Sequence, residues 1–80
     1  MKVRYVGVDI GVDGLVNNRV YDVAGVDELT GYLAVIDESG DDYLYNPKNP
    51  KPIASPDHPG GRFEIVEDDD NHTLEKAIYG

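Results

Sequence analysis

An all-β domain, built as a small antiparallel barrel of about five strands, is the fold class this chain predicts. Three observations point there. Residues 32–45 set two runs of β-branched and aromatic residues around a short acidic turn carrying Gly40. That is a hairpin signature, because such side chains suit a pleated sheet and Gly reaches a positive φ without a Cβ clash. Residues 2–7 and 19–26 alternate with the period of two of half-buried strands. All five prolines fall within residues 46–61, which marks a connection, since proline brings no N–H to a sheet ladder.

The elements follow in order. The first strand, residues 2–7, places Val3, Tyr5 and Gly7 on one face and Lys2, Arg4 and Val6 on the other. Gly7, Gly11, Asp13, Gly14, Asn17 and Asn18 then mark a long turn-rich loop, in which Leu15 and Val16 are expected to tuck against the core. The second strand, residues 19–26, turns Tyr21 and Val23 inward, and residues 27–31 form a turn ended by Gly31 in a left-handed position.

Two registers fit the hairpin. A three-residue loop through Glu38, Ser39 and Gly40 pairs Asp37 with Asp41, Val35 with Tyr43 and Leu33 with Tyr45. A two-residue loop at Ser39-Gly40 pairs Val35 with Leu44 instead. The first is preferred, because it puts Gly where a positive φ is most needed. Residues 46–61 are long for a loop in a compact domain. Apart from the prolines only Ile53 and Ala54 are apolar there, so the loop is expected to be pinned at Pro47 and near Gly61 and mobile between, with fast amide exchange from Lys48 to His58. The fifth strand, residues 62–67, alternates Phe63 and Ile65 with charged residues. In the tail, Leu74, Ala77 and Ile78 recur at helical spacing with Asn71 or Thr73 as N-cap. A short helical turn and a sixth strand both fit, and the turn is preferred. The core is expected to contain Val3, Tyr5, Val23, Val35 and Ile65.

Eighty residues make a single domain, 1–80, and the absence of Cys excludes disulfides, thiolate zinc sites and Cys nucleophiles. Sixteen acidic against seven basic residues give a net charge of −9. That field repels phosphate backbones and anionic membranes and favours a dispersed monomer. No apolar run approaches the roughly 20 residues that cross a bilayer, and Met1 to Val6 lead straight into a strand pattern without an apolar signal region. A cytoplasmic protein is expected, with an unidentified protein as partner, nucleic acid disfavoured and no membrane.

The strand order, with a long first loop over residues 8–18, a second at 28–31 and a distal turn at 38–40, resembles an SH3-like barrel across residues 2–67. Tyr43-Leu44-Tyr45-Asn46-Pro47 is similar to the segment that leaves the fourth strand in SH3 domains. The chain departs from that family in lacking its Ala-Leu-Tyr-Asp-Tyr signature and its Trp pair, so the family's proline-peptide groove does not carry over. Val12-Asp13-Gly14-Leu15, Asp37 to Tyr45 and Phe63 to Asp68 are also similar to small uncharacterised proteins encoded in prophage regions of Gram-positive bacteria. That likeness implies no activity.

Five of the six tyrosines fall on the expected strands. Most serve packing, while Tyr32, Tyr43 and Tyr45 are candidates for a recognition surface at one edge, since Tyr joins a large apolar ring to a polar tip. Glu67-Asp68-Asp69-Asp70 is expected to be a solvated turn, because the calcium-loop pattern lacks its sixth-position Gly and its twelfth-position acid. His58 and His72 are expected to be exposed loop residues. Lys48, Lys51 and Arg62 answer acids either on a partner or on the hairpin, at Asp37, Asp41 and Asp42. No catalytic residue, metal or cofactor is assigned. The expected role is a non-catalytic interaction module that binds protein; the alternative is a nucleic-acid-associated accessory barrel, which requires Lys2, Arg4 and Arg19 to share a face.

Overall fold

Alternation of apolar and polar residues builds the sheet almost where it is expected. The computed structural model describes residues 1–52 and 54–80. It contains β1 (Lys2–Gly7), β2 (Val20–Val26), β3 (Leu33–Ile36), β4 (Asp42–Tyr45), β5 (Gly61–Glu67) and α1 (Thr73–Tyr79). The strands form one antiparallel sheet in the order β4-β3-β2-β1-β5. β2 is shared along its length: Val20 to Asp22 pair with β1, while Val23 to Val26 pair with β3 across a register shift between Val23 and Gly25. A bulge of this kind bends a strand and lets a sheet fold over on itself. Among the described residues no ladder joins β4 to β5, the two ends of the order.

The expected Val3, Tyr5, Val23 and Val35 are buried, Ile65 packs against them half-buried, and Tyr21 also faces inward. Phe63 on β5 meets Tyr5 edge-to-face with ring centroids 6.1 Å apart. Tyr5 runs beside the cross-strand pair Gly7↔Gly61. A Cβ on Gly61 would lie 2.4 Å from the Val6 carbonyl oxygen and 2.9 Å from the Tyr5 ring. Both glycines are therefore required by close approach of backbone and ring.

The hairpin takes the three-residue register, with Leu33 opposite Tyr45 and Val35 opposite Tyr43. Gly40 has φ 85°, and its N–H donates to the Asp37 carbonyl at 3.0 Å. The long first loop folds down onto this turn: Glu38 N–H donates to Gly14 O at 2.9 Å and Ser39 N–H to Asp13 O at 3.1 Å. Leu15 is fully buried as expected and Val16 only half-buried. Ile10, which the sequence reading passed over, is the loop's second core residue.

The proline connection is held more firmly than its sequence suggests. Pro47 and Pro50 are both buried. His58, expected to be exposed, is half-buried and clasps two segments: its Nδ1 accepts from Gly60 N–H at 2.8 Å, which leaves Nε2–H to donate to Asp9 O at 2.9 Å. The expected weak anchoring at Ile53 lies outside the described residues. Amide exchange is therefore expected to be slow at Gly60 and fast at the exposed Ala54 and Asp57. Hydrogen-exchange NMR checks this, and slow exchange at Ala54 and Asp57 would contradict it.

The tail is helical, with Leu74 and Ile78 buried on the core. Its N-cap is His72, left-handed at φ 57° and making no side-chain cap bond, rather than Asn71 or Thr73. The caps come from the acidic run, which is more than a solvated turn. Asp69 accepts from Thr73 N–H at 2.8 Å, and Asp68 accepts from Leu74 N–H at 2.9 Å and Glu75 N–H at 3.1 Å. Burial pulls the Asp68 carboxyl up, but these N–H donors and that of Asp69 bring it below its ordinary 3.8. A depressed folded-state value means stabilisation that is complete above that ordinary value and lost as pH falls through the folded one. Asp68→Ala is expected to speed exchange at Leu74 and Glu75 at neutral pH while the sheet stays protected. Protonation of Asp68 in the native chain, as pH falls through its lowered folded-state value, is expected to release the same two N–H groups. Unchanged helix protection would refute the capping role.

No helix among the described residues is long and apolar enough to cross a membrane.

Candidate functional site

The docked first loop and β4 enclose a cleft of about 460 Å³ lined by Ile10, Asp13, Tyr43, Leu44, Lys51 and Pro52, with Tyr45 and Asp37 behind them. Alternation along β4 turns Tyr43 and Tyr45 to one face and Leu44 to the other. As β4 is an end strand, its outer edge has no sheet neighbour among the described residues. Tyr43 is 56% exposed, Leu44 42%, and Ile36 on the adjoining strand 38%.

The three tyrosines singled out from the sequence are not equivalent. Tyr43 and Tyr45 share this cleft, whereas Tyr32, half-buried, lines a separate cleft beside α1. Tyr45 is buried, and its hydroxyl donates to Asp37 Oδ2 at 2.7 Å. Asp37, only 7% exposed, also accepts from Ser39 N–H and the Ser39 hydroxyl. A buried carboxylate is tolerated when hydrogen bonds satisfy it, so Asp37, Ser39 and Tyr45 form a brace beneath the cleft.

A second brace joins the first loop to the turn. Tyr21 OH donates to Glu38 Oε2 at 2.6 Å and accepts from Val16 N–H at 2.8 Å, while Arg19 donates to Glu38 Oε1 at 2.9 Å. Burial, then the Glu38 hydrogen bond, push the Tyr21 phenol from 10.0 up to about 12. Burial and Asp37 raise that of Tyr45 as well. Raised folded-state values mean that the stabilisation is complete below pH 10 and is lost as pH rises through the folded values. The urea midpoint is therefore expected to hold to about pH 10 and fall steeply toward pH 12. A midpoint unchanged between pH 10 and 12 would refute the brace.

The cations bracketing the proline connection do not reach the hairpin acids in the structure. Arg62 pairs with Glu64 at 3.2 Å, Lys48 donates to Gly80 O at 2.7 Å and Lys51 to Pro56 O at 3.4 Å. On the outer face of the sheet, Lys2 pairs with Asp22 at 2.6 Å, and Arg4 stands opposite Glu64. Ligand atoms of Asp68, His72 and Glu75 converge within 4.8 Å. The helix N–H groups on Asp68 and the 3.3 Å contact of His72 with Glu75 account for that convergence.

The cleft beside α1 measures about 530 Å³ and joins the 27–31 turn, residues 46–48 and the helix. Its lining includes Lys48 and Lys76, the latter contributed by α1, so that no local pattern in the sequence marks it as a site residue. No family model, curated protein or solved structure matches this chain.

Proposed function

We propose that this chain is a small, non-catalytic interaction module that binds a protein partner along β4, acting as a cytoplasmic monomer. One observation carries the reading: a sheet edge without a strand neighbour among the described residues, which exposes Ile36, Tyr43 and Leu44 beside a cleft braced from beneath. An edge strand offers unpaired N–H and C=O groups to an extended peptide, and neighbouring apolar rings add side-chain contact. The register shift in β2 and the return of β5 to lie beside β1 support an SH3-like reading of the sheet. The nucleic-acid alternative is weakened by the pairing of Lys2 with Asp22 and of Arg19 with Glu38, which leaves those cations no shared free face.

The test is affinity capture from a lysate of the source organism with the native chain and with a Tyr43→Ala, Leu44→Ala variant. A protein held by the first and lost from the second supports the proposal. Equal recovery on both, or no specific recovery, refutes it. Tyr45 is unsuitable for this test, because its removal breaks the Asp37 brace. A gel shift at low salt that weakens steeply with added salt would instead favour the alternative.

A further inference from the structure

We propose that the cleft between the 27–31 turn, Pro47 and α1 takes an acidic peptide segment of a protein partner. An apolar side chain of that segment fills the cleft while its carboxylate meets Lys48 and Lys76. The inference rests on the reading of the chain as an interaction module, but it uses a different face from the β4 edge.

Three observations carry it. The lining is mostly apolar, from Val26, Tyr32, Pro47 and Ala77, and its volume of about 530 Å³ suits one or two side chains. In a chain with sixteen acidic and seven basic residues, this lining holds two lysines and no carboxylate. Asp27 and Asp69 lie outside this lining and hold their carboxylates on local donors: Asp27 accepts from Thr30 N–H and Oγ1 at 2.9 and 2.8 Å, and Asp69 from Thr73 N–H at 2.8 Å. Among the described residues Lys76 forms no ion pair, and Lys48 donates to Gly80 O at 2.7 Å.

Magnitudes select a peptide over a polyanion. The charge of −9 repels a phosphate backbone over its whole length. One carboxylate, by contrast, meets chiefly the groups it touches, and the charged groups among the lining residues are the two ammonium groups.

Selection of a random heptapeptide phage library on the native chain tests this, followed by comparison with a Lys48→Glu, Lys76→Glu variant. Circular dichroism and the Val35 amide signal verify that the variant is folded. The expected clones place Asp or Glu beside a bulky apolar residue, shift the amide signals of Gly31, Tyr32, Thr73 and Ala77, and bind the variant at least about tenfold more weakly. Absence of such clones, or equal binding to the variant, overturns the inference. Clones lost instead on Tyr43→Ala, Leu44→Ala overturn it while leaving the module reading in place. If neither the library nor the lysate yields a ligand, both fall.

Discussion

Phe63→Ala is expected to lower stability by about 3–5 kcal/mol, enough to leave a domain of this size largely unfolded near 37 °C. Phe63 is 2% exposed and packs edge-to-face on Tyr5, itself fully buried. Truncation removes the largest side chain that β5 contributes and opens a cavity that a sheet with two neighbouring glycines has little side-chain volume to refill. Thermal denaturation followed by circular dichroism should show a Tm lowered by about 12–40 °C, taking about 4–8 °C per kcal/mol for a domain this small. Phe63→Leu, which keeps most of the volume, should cost much less, about 1.5 kcal/mol. Similar losses from both substitutions would mean that ring packing, not cavity formation, dominates there.

Gly61→Ala is expected to cost about 3 kcal/mol, although it adds a single methyl group. The new Cβ would stand 2.4 Å from the Val6 carbonyl oxygen and 2.9 Å from both Cε1 and the hydroxyl oxygen of Tyr5. Two of those obstacles belong to a fully buried side chain and one to backbone, so relief requires β1 and β5 to separate. Gly25→Ala is the control, because a Cβ there meets nothing within 4 Å, and it should change stability by well under 1 kcal/mol. Equal effects at the two positions would show that loss of glycine flexibility, rather than close approach, sets the cost.

The contrast between these two glycines indicates how much of the molecule is legible in its residues. Strand positions follow from alternation, and only their ends move: β2 begins at Val20 rather than 19, and β5 at Gly61 rather than 62. The hairpin register follows from the steric demand for a positive φ at Gly40, met at 85°. The helix follows from Leu74, Ala77 and Ile78. Its caps do not, because the acceptors that satisfy Leu74 and Glu75 lie on Asp68, six and seven residues back across a left-handed turn at His72. A motif search for a cap three residues ahead of its N–H cannot find that arrangement.

The candidate site was less legible than the fold. Local pattern, read through the period-two geometry of strands and the sterics of glycine and proline, was sufficient for an all-β chain of five antiparallel strands with a short terminal helix. It also sufficed to mark Tyr32, Tyr43 and Tyr45 as residues to watch. Only the tertiary structure separated them, burying Tyr45 on Asp37, leaving Tyr43 on an open edge and setting Tyr32 beside Lys76. The reason is that exposure and charge environment depend on which distant segments pack together. Glu38 lies 19 residues from Arg19, His58 lies 49 from Asp9, and Lys48 lies 32 from Gly80. Such pairings belong to the folded chain, where the surplus of negative charge is spread unevenly enough to leave one cleft lined by two lysines and no acid.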